Sequence, residues 1–255
     1  MNTIKYTALA LVILAFAACK KANVTPNNPT PPVTPPTVKM DTDVYVVGDI
    51  VAKNGKQIAV YWKNGVKHSL PMFGGGYSRV NALAIDGNDV YAAGYEPGPN
   101  NENRLVYWKN GVETLLGKQG MIDVGAASIA INGNDVYVCG TDSGNAVYWK
   151  NGARVVLERY AGDVIAATTI AIANNSVYVT GKTRDDAVYW KDGVKTVLPK
   201  RGYTAGASAI TFYQSDIYVG GMDGSSPVYW KNGVRVPLCC STGGYVSGIQ
   251  VIKIR

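Results

Sequence analysis

The chain has little histidine, phenylalanine or charge. Its 255 residues include one histidine and three phenylalanines, and 17% are Asp, Glu, Lys or Arg. The single histidine disfavours His-rich metal sites and His-based catalysis, and 47% apolar residues at this low charge exclude the composition of a disordered chain. The 29 glycines, 17 tyrosines and five tryptophans are instead typical of an all-β protein with many tight turns.

No apolar run is long enough to cross a bilayer, which takes roughly 20 residues. The run from Ala8 to Ala18 has eleven residues and follows Lys5, so it predicts a signal peptide over residues 1–18. The sequence Phe16-Ala17-Ala18-Cys19 resembles the bacterial lipobox, which implies a lipoprotein with a diacylglycerol and palmitate on Cys19. Because leucine is usual where Phe16 stands, ordinary secretion is the alternative.

Residues 19–40 are predicted to form a tether. Six of the twelve prolines lie between residues 20 and 40, and such a stretch forms a semi-rigid polyproline II spacer rather than a core. Lys20 and Lys21 follow the cysteine, and by analogy with the enteric sorting rule the absence of Asp there favours the outer membrane. The folded domain is predicted over residues 41–255.

Internal repetition decides the predicted fold. The string Tyr-Trp-Lys-(Asn/Asp)-Gly occurs five times, with its tryptophans 46, 41, 41 and 40 residues apart. They are Trp62, Trp108, Trp149, Trp190 and Trp230. Each unit predicts four short antiparallel strands, A to D, with an Asn-Gly or Asp-Gly hairpin turn between C and D. We expect the repeated tryptophans to pack between neighbouring units.

Four-stranded units of 40 to 46 residues are typical of β-propeller blades. The first unit opens with strand B at Val44, and the chain ends with a strand A, so residues 247–251 are predicted to complete the first blade and close the ring. The predicted fold is therefore all-β, a five-bladed β-propeller of four-stranded antiparallel blades.

In length and blade number, residues 43–255 resemble the five-bladed tachylectin-type lectins. The Tyr-Trp-Lys-Asn-Gly repeat resembles those of secreted and lipid-anchored bacterial propeller proteins. The resemblance concerns architecture, and the Trp-Asp of WD40 repeats and the Gly-Gly of kelch repeats are missing from the blades. No binding residue is therefore carried over from those lectins.

Candidate ligand-binding residues lie on the D-to-A linkers. These linkers and the B-to-C turns are predicted at one end of the ring, the loop end, and the tight A-to-B and C-to-D turns at the other, the tight end. Function usually lies on variable loops held by a rigid scaffold, and aromatic faces beside polar groups suit a sugar or peptide. The candidates are Tyr77, Arg79, Asp123, Tyr160, Asp163, Tyr203 and Tyr245. Alternatively, the tyrosines only cover the blade junctions.

The sequence predicts no catalytic residue, cofactor or metal site. No strand A carries an acid, His68 falls on an outer strand, and the serines lack a nucleophile-elbow context. Cys139 is predicted to be a buried hydrophobe, whereas the adjacent Cys239 and Cys240 either form a vicinal disulfide or leave a free thiol. Lysines and arginines beside the C-to-D turns predict a basic rim that either faces anionic headgroups or is simply solvated.

We therefore expect a monomeric, exported binding module, lipid-anchored in the bacterial cell envelope, whose loop end recognises a carbohydrate or another ligand. The alternative is a protein-interaction scaffold of a cell-envelope complex, and a glycoside-processing enzyme is a third hypothesis. Nucleic acid is not an expected partner for an exported chain.

Overall fold

The structure, a computed structural model, describes residues 42–72, 77–98, 103–117, 125–159, 161–162, 165–238 and 243–253. The predicted signal peptide and tether lie outside these residues. All regular structure in the described part is β, in antiparallel sheets. No helix within it is long and apolar enough to cross a membrane.

Five sheets follow one another along the chain, and we number them 1 to 5. Sheet 1 has three strands: β1 (Tyr45–Val51), β2 (Gln57–Lys63) and β3 (Val66–Ser69). Sheets 2 to 5 have four strands each, A to D in chain order: β4 (Arg79–Asp86), β5 (Asp89–Pro97), β6 (Asn103–Lys109) and β7 (Val112–Leu115); β8 (Gly125–Asn132), β9 (Asp135–Asp142), β10 (Asn145–Lys150) and β11 (Ala153–Glu158); β12 (Ile165–Ala173), β13 (Ser176–Thr183), β14 (Asp186–Lys191) and β15 (Val194–Val197); β16 (Ala205–Tyr213), β17 (Asp216–Asp223), β18 (Ser226–Lys231) and β19 (Val234–Pro237). By the same lettering, β1 to β3 are strands B to D.

The turns between strands C and D have positive φ at both central residues, as a type I′ hairpin requires. In sheet 3, φ is 52° at Asn151 and 83° at Gly152. The same pair of positive angles recurs at Asn64-Gly65, Asn110-Gly111, Asp192-Gly193 and Asn232-Gly233. The hairpins predicted from these dipeptides are confirmed.

Each tryptophan of sheets 2 to 5 packs against the preceding sheet. Trp108, Trp149, Trp190 and Trp230 are fully buried. Trp149, for example, lies in one cluster with Tyr91 and Leu105 of sheet 2. The predicted packing between units is thus confirmed for these four tryptophans, whereas Trp62 of sheet 1 is only half-buried.

A glycine near the end of strand B accepts a close approach of strand A. A methyl group on Gly181 would lie 2.0 Å from the carbonyl oxygen of Ala166, where the register of strand A shifts by one residue. The same approach measures 2.0 Å at Gly94 and 2.1 Å at Gly221. Only glycine fits at these three positions without moving a strand.

The segment after sheet 5, residues 243–253, has no strand in the structure. It lies against sheet 5, where the Ser208 hydroxyl donates to the Val246 carbonyl and the Val246 side chain covers Gly220. Since β1 pairs with β2 alone in the described residues, residues 247–251 do not extend sheet 1 here. The five-bladed, closed ring stays a prediction.

Candidate functional site

The structure describes four of the seven candidate ligand-binding residues: Tyr77, Arg79, Tyr203 and Tyr245. The other three, Asp123, Tyr160 and Asp163, lie outside the described residues, as do Cys19, Cys239 and Cys240. The tyrosines lie on three segments, which we call linkers: Tyr77 between sheets 1 and 2, Tyr203 between sheets 4 and 5, and Tyr245 after sheet 5. Arg79 is the first residue of β4.

A repeated main-chain hydrogen bond anchors these linkers to the preceding sheet, at the B-to-C turn or at the strand C residue that follows it. The N–H of Ser78 donates to the Gln57 carbonyl at 3.1 Å, and that of Ala205 donates to the Asp185 carbonyl at 2.7 Å. In the segment after sheet 5, the N–H of Gly244 donates to Ser225 at 2.8 Å. Tyr77, Tyr203 and Tyr245 lie within two residues of these anchors, so all three belong to the same end of their sheets.

The three described tyrosines project into solvent. Tyr77 is 62% exposed, Tyr203 97% and Tyr245 79%. A tyrosine that covered a junction between sheets would bury its ring, so the covering role does not describe these three. That role stays open for Tyr160.

The linker that carries Tyr203 is held at several points. The Lys200 ammonium lies 2.7 Å from an Asp186 carboxylate oxygen, and it donates to the carbonyls of Asp185 and Tyr203 at 2.9 and 3.1 Å. The main-chain N–H groups of Arg201 and Gly202 donate to Asp223 at 2.9 and 2.7 Å. The backbone under Tyr203 is therefore tied to the B-to-C turns of sheets 4 and 5.

Arg79 ties sheet 2 to sheet 1. Its Nε lies 3.5 Å from a carboxylate oxygen of Asp49, and Asp49 also accepts from the N–H of Val80 at 3.2 Å. Half of the Arg79 side chain remains exposed. Arg79 therefore has a structural partner and an open face toward solvent.

Three sheets contain ion pairs between an arginine and a buried acid that the sequence analysis did not predict. Arg154 of sheet 3 pairs with Asp142, and Arg235 of sheet 5 pairs with Asp223 at 2.6 Å. Burial alone would raise the pKa of Asp223, but the N–H groups of Gly202 and Arg201, together with Arg235, hold it below its usual range. In sheets 3 and 5 the sequence has an acid two residues after the glycine of strand B and an arginine two residues after the glycine of the C-to-D turn. This pattern could have predicted the ion pairs.

Sheet 2 has two carboxylates around one arginine. Arg104 contacts the fully buried Glu96 and lies 3.2 Å from Glu113. Burial and the neighbouring Glu96 raise the pKa of Glu113, although Arg104 acts in the opposite direction. The cluster has one more acid than base, and taking up a proton would balance it.

Four lysines of the predicted basic rim at the tight end are paired with aspartates. Lys150 lies 2.7 Å from Asp135, the first residue of strand B, and its ammonium stands over the Tyr137 ring. The hydrogen bond from Lys150 holds the pKa of Asp135 below its usual range, and Asn151 adds a second hydrogen bond. The corresponding ion pairs are Lys63–Asp43, Lys109–Asp89 and Lys231–Asp216. The prediction of a basic rim is wrong for these four lysines, because each of the four reaches an aspartate at or just before the start of its own strand B.

Cys139 and His68 each pack against neighbouring side chains. Cys139 is buried and free, and burial raises the pKa of its thiol. The His68 ring stacks on Tyr61 with centroids 4.6 Å apart. Within the described ranges, no group of three or more His, Cys, Asp or Glu is placed to hold a metal ion.

No protein-family model matches the chain, and no curated protein matches it either. Solved structures with some likeness include a nidogen/laminin complex, at a TM-score of 0.45 and 12% identity over 72% of this chain and 70% of that one. The computationally designed Ika8 protein matches at a TM-score of 0.42 and 17% identity, over 81% and 75% of the two chains. The designed Ika4 protein matches at 0.38 and 21%, over 63% and 95%. With TM-scores below 0.5, these likenesses establish nothing about function.

Proposed function

We propose that this chain is an extracytoplasmic binding module, a five-bladed β-propeller with its ligand site at the loop end. The observation that carries the binding proposal is Tyr203, which is 97% exposed on a linker held by side-chain and main-chain hydrogen bonds. A rigid, exposed aromatic ring binds at low entropic cost because little has to be ordered on binding.

A hydrogen bond that recurs between sheets supports the closed ring. The Thr168 hydroxyl of sheet 4 donates to the Ala207 carbonyl on strand A of sheet 5 at 2.8 Å. One repeat later, the Ser208 hydroxyl donates to the Val246 carbonyl. Val246 therefore takes the place that Ala207 takes in the preceding repeat, as expected if the last segment is a further strand A.

Sheet 1 has exposed positions that such a strand would cover. Val46 is 51% exposed, whereas the residue at its position in sheets 2 to 5 is at most 1% exposed. These counterparts are Ala92, Val138, Val179 and Val219. A methyl group on Gly48 would meet only the Trp62 ring and no carbonyl. If residues 245–251 pair with β1 in the register of the other sheets, Val246 lies opposite Gly48 and Ile249 opposite Val46.

A disulfide tests this register. Val46→Cys with Ile249→Cys, in a chain with Cys239 and Cys240 changed to Ser, should oxidise within the monomer, because directly opposed residues lie within disulfide reach. The matched control pairs Val46→Cys with Gln250→Cys, whose side chain points to the other face of the strand. Equal linkage of both pairs, or a disulfide found only between two copies, would contradict intramolecular closure.

We propose that the ligand is a carbohydrate. Tyrosine rings pack against the C–H faces of sugars while their hydroxyls and nearby polar groups fix orientation. Three tyrosines between 62% and 97% exposed, each beside a main-chain anchor, support this choice.

A glycan array probed with the full-length protein tests the binding proposal. We expect a hit that Tyr203→Ala and Tyr245→Ala each weaken without a change in melting temperature, since fully exposed side chains contribute within about 0.5 kcal/mol of stability. Tyr213→Ala, at the tight end, is the matched control. A hit that no loop-end tyrosine affects would contradict the site. If no glycan binds and a crosslinked envelope protein is lost in Tyr203→Ala, the scaffold reading is correct.

We further propose that Cys19 carries a lipid that holds the module in the bacterial envelope. Cys19→Ser should then abolish metabolic labelling with palmitate and move the protein from the membrane fraction to the soluble one. Labelling that persists in Cys19→Ser would exclude this anchor.

A further inference from the structure

The exposed tyrosines of the loop end lie among positive charges. We define an aromatic–cationic sector as residues 49–57, 77–79, 182–186, 200–203 and 245. In this sector seven cations accompany three carboxylates. The cations are Lys53, Lys56, Arg79, Lys182, Arg184, Lys200 and Arg201; the carboxylates are Asp49, Asp185 and Asp186. If the ring closes as proposed above, the linkers with Tyr203, Tyr245 and Tyr77 are consecutive around it.

Internal pairing leaves much of this positive charge available. Asp186 is engaged by Lys200, and Asp49 by Arg79. Four of the cations make no ion pair with any residue that the structure describes: Lys53, Lys56, Lys182 and Arg201. Lys53, Lys56 and Arg201 are exposed, and Lys182 extends over Gly206 of the neighbouring sheet.

Outside the sector, many of the described cations are paired with acids. At the tight end, four lysines are paired with the aspartates of their own sheets. In sheets 3 and 5, Arg154 and Arg235 are neutralised by buried aspartates. On sheet 2, the cluster of Glu96, Arg104 and Glu113 has an excess of acid. The sector therefore combines unpaired cations with exposed tyrosines, and its positive potential attracts anions.

We infer that the ligand of the loop end is an acidic polysaccharide whose sugar rings carry carboxylates. This inference rests on the binding function and the ring closure proposed above. Lysine and arginine side chains bind carboxylates through charge-assisted hydrogen bonds, and the tyrosine rings pack on the C–H faces between them. Because the tyrosines stand on three consecutive linkers, the sector fits an extended chain of uronic acid units better than a single sugar.

Polygalacturonate and its methyl ester test the charge requirement, because they share one backbone and differ in the carboxylate. We expect the full-length protein to bind polygalacturonate at least 10-fold more tightly than the ester, as measured by affinity electrophoresis at 50 mM NaCl. Affinity for polygalacturonate should fall steeply at 300 mM NaCl, since exposed charges are screened over about 10 Å already at 0.1 M salt.

Two variants and a control locate the binding. Arg201→Ala removes a cation but keeps the main-chain hydrogen bond to Asp223, and Tyr203→Ala removes the ring. Each should weaken binding at least 5-fold. Lys67→Ala removes an exposed lysine of β3, away from the sector, and should bind polygalacturonate like the unchanged protein.

Each contrary result overturns the inference in a distinct way. Equal affinity for the ester and the acid would leave a neutral-sugar lectin, so the binding module would survive and the acidic class would fall. Equal losses in Lys67→Ala and Arg201→Ala, or none in Tyr203→Ala, would mean nonspecific attraction to net charge. Binding to neutral glycans alone would refute the acidic class, and glycan binding independent of every loop-end tyrosine would refute the proposed site itself.

Discussion

The loss of stability in Gly48→Ala distinguishes a closed ring from an open one. In sheet 4, a methyl group at the equivalent Gly181 would lie 2.0 Å from a carbonyl oxygen of strand A. At Gly48 it would meet only the Trp62 ring, at 3.3 Å, which a shift of a few tenths of an ångström relieves. If residues 245–251 pair with β1, the Tyr245 carbonyl stands over Gly48 as the Ala166 carbonyl stands over Gly181. Neither glycine has a positive φ, so only the close approach is tested.

The two arrangements differ in the expected loss of stability. Overpacking a core typically costs 1–3 kcal/mol, and a contact as short as 2.0 Å belongs at the upper limit, about 3 kcal/mol. For a domain of this size, 1 kcal/mol shifts the melting temperature by about 2–4 °C. Gly181→Ala should therefore lower it by about 6–12 °C, using these same values. Gly48→Ala should match that loss in a closed ring. In an open ring, Gly48→Ala should cost little stability. Alanine restricts the unfolded chain more than glycine does, and this effect stabilises the folded state by about 0.4–1 kcal/mol.

The assay is thermal unfolding of the full-length protein followed by far-ultraviolet circular dichroism. Gly248→Ala is the matched control, because strand A has alanine at the same place in sheets 2 and 5, at Ala82 and Ala209. A large loss in Gly181→Ala without one in Gly48→Ala refutes closure by this segment. An unchanged melting temperature in Gly181→Ala would mean that the close-approach reasoning itself is wrong.

Three further predictions concern the titratable groups. The pKa of Glu113 is raised in the folded protein, so its contribution to stability is present below the pKa of the unfolded chain and is lost as pH rises through the folded value. Glu113→Gln should remove this loss of stability between pH 4 and 7, as measured by urea unfolding. An unchanged pH profile would count against the buried cluster. Asp135 has a lowered pKa, so its contribution to stability is present above the unfolded pKa and is lost as pH falls through the folded value. Asp135→Asn should therefore narrow the difference in melting temperature between pH 7 and pH 2. The control Lys67→Ala should leave that difference unchanged. Burial raises the pKa of the Cys139 thiol, so iodoacetamide at pH 8 should not label Cys139 in the native protein but should label it in guanidinium. Rapid labelling of the native protein at Cys139, located by mass spectrometry, would contradict its burial.

The sequence predicted most of the sheets because the turn residues have few alternatives. Asn-Gly and Asp-Gly fix the C-to-D hairpins through positive φ, and each hairpin sets the alternation of the strands on either side. In sheet 3, for example, the Asn151-Gly152 turn joins β10 (Asn145–Lys150) to β11 (Ala153–Glu158), as predicted for strands C and D. The strand predicted over residues 247–251 has no such turn before it, and the structure forms no strand there.

The charge pairing was not predicted from the sequence because it joins residues that are far apart along the chain. Lys150 and Asp135 are fifteen residues apart, and the prediction of a basic rim considered the cations beside the C-to-D turns without the aspartates of strand B. The buried Glu96 was equally hidden, since an acid in a B-to-C turn is usually solvated and only the fold brings Arg104 to it. Of the candidate site, the sequence predicted which tyrosines are on linkers but not that the linkers are anchored.

Sheet 4 indicates how the two ends divide their roles. It has Ser176 where the other sheets have aspartate before strand B, and Asp192 where they have asparagine in the C-to-D turn. Asp192 still accepts the N–H of Val177 at 2.8 Å, as Asn151 accepts that of Val136 in sheet 3 at 2.8 Å. One acid and one lysine are thus retained although the acid has moved. The tight end keeps this hydrogen bond through a change of sequence, which is what a structural role requires.

The loop end follows no such rule, since its linkers differ in length, charge and aromatic content while their main-chain anchors recur. Tyr203, Tyr77 and Tyr245 stand two residues before, one before and one after the repeated hydrogen bond. The anchor fixes the backbone, and the side chains beside it are therefore free to differ without loss of stability. Substitutions at the tight end should change melting temperature and leave ligand affinity unchanged, whereas substitutions of these tyrosines should do the opposite. A molecule in which both ends affected both quantities would not be a scaffold that presents variable loops.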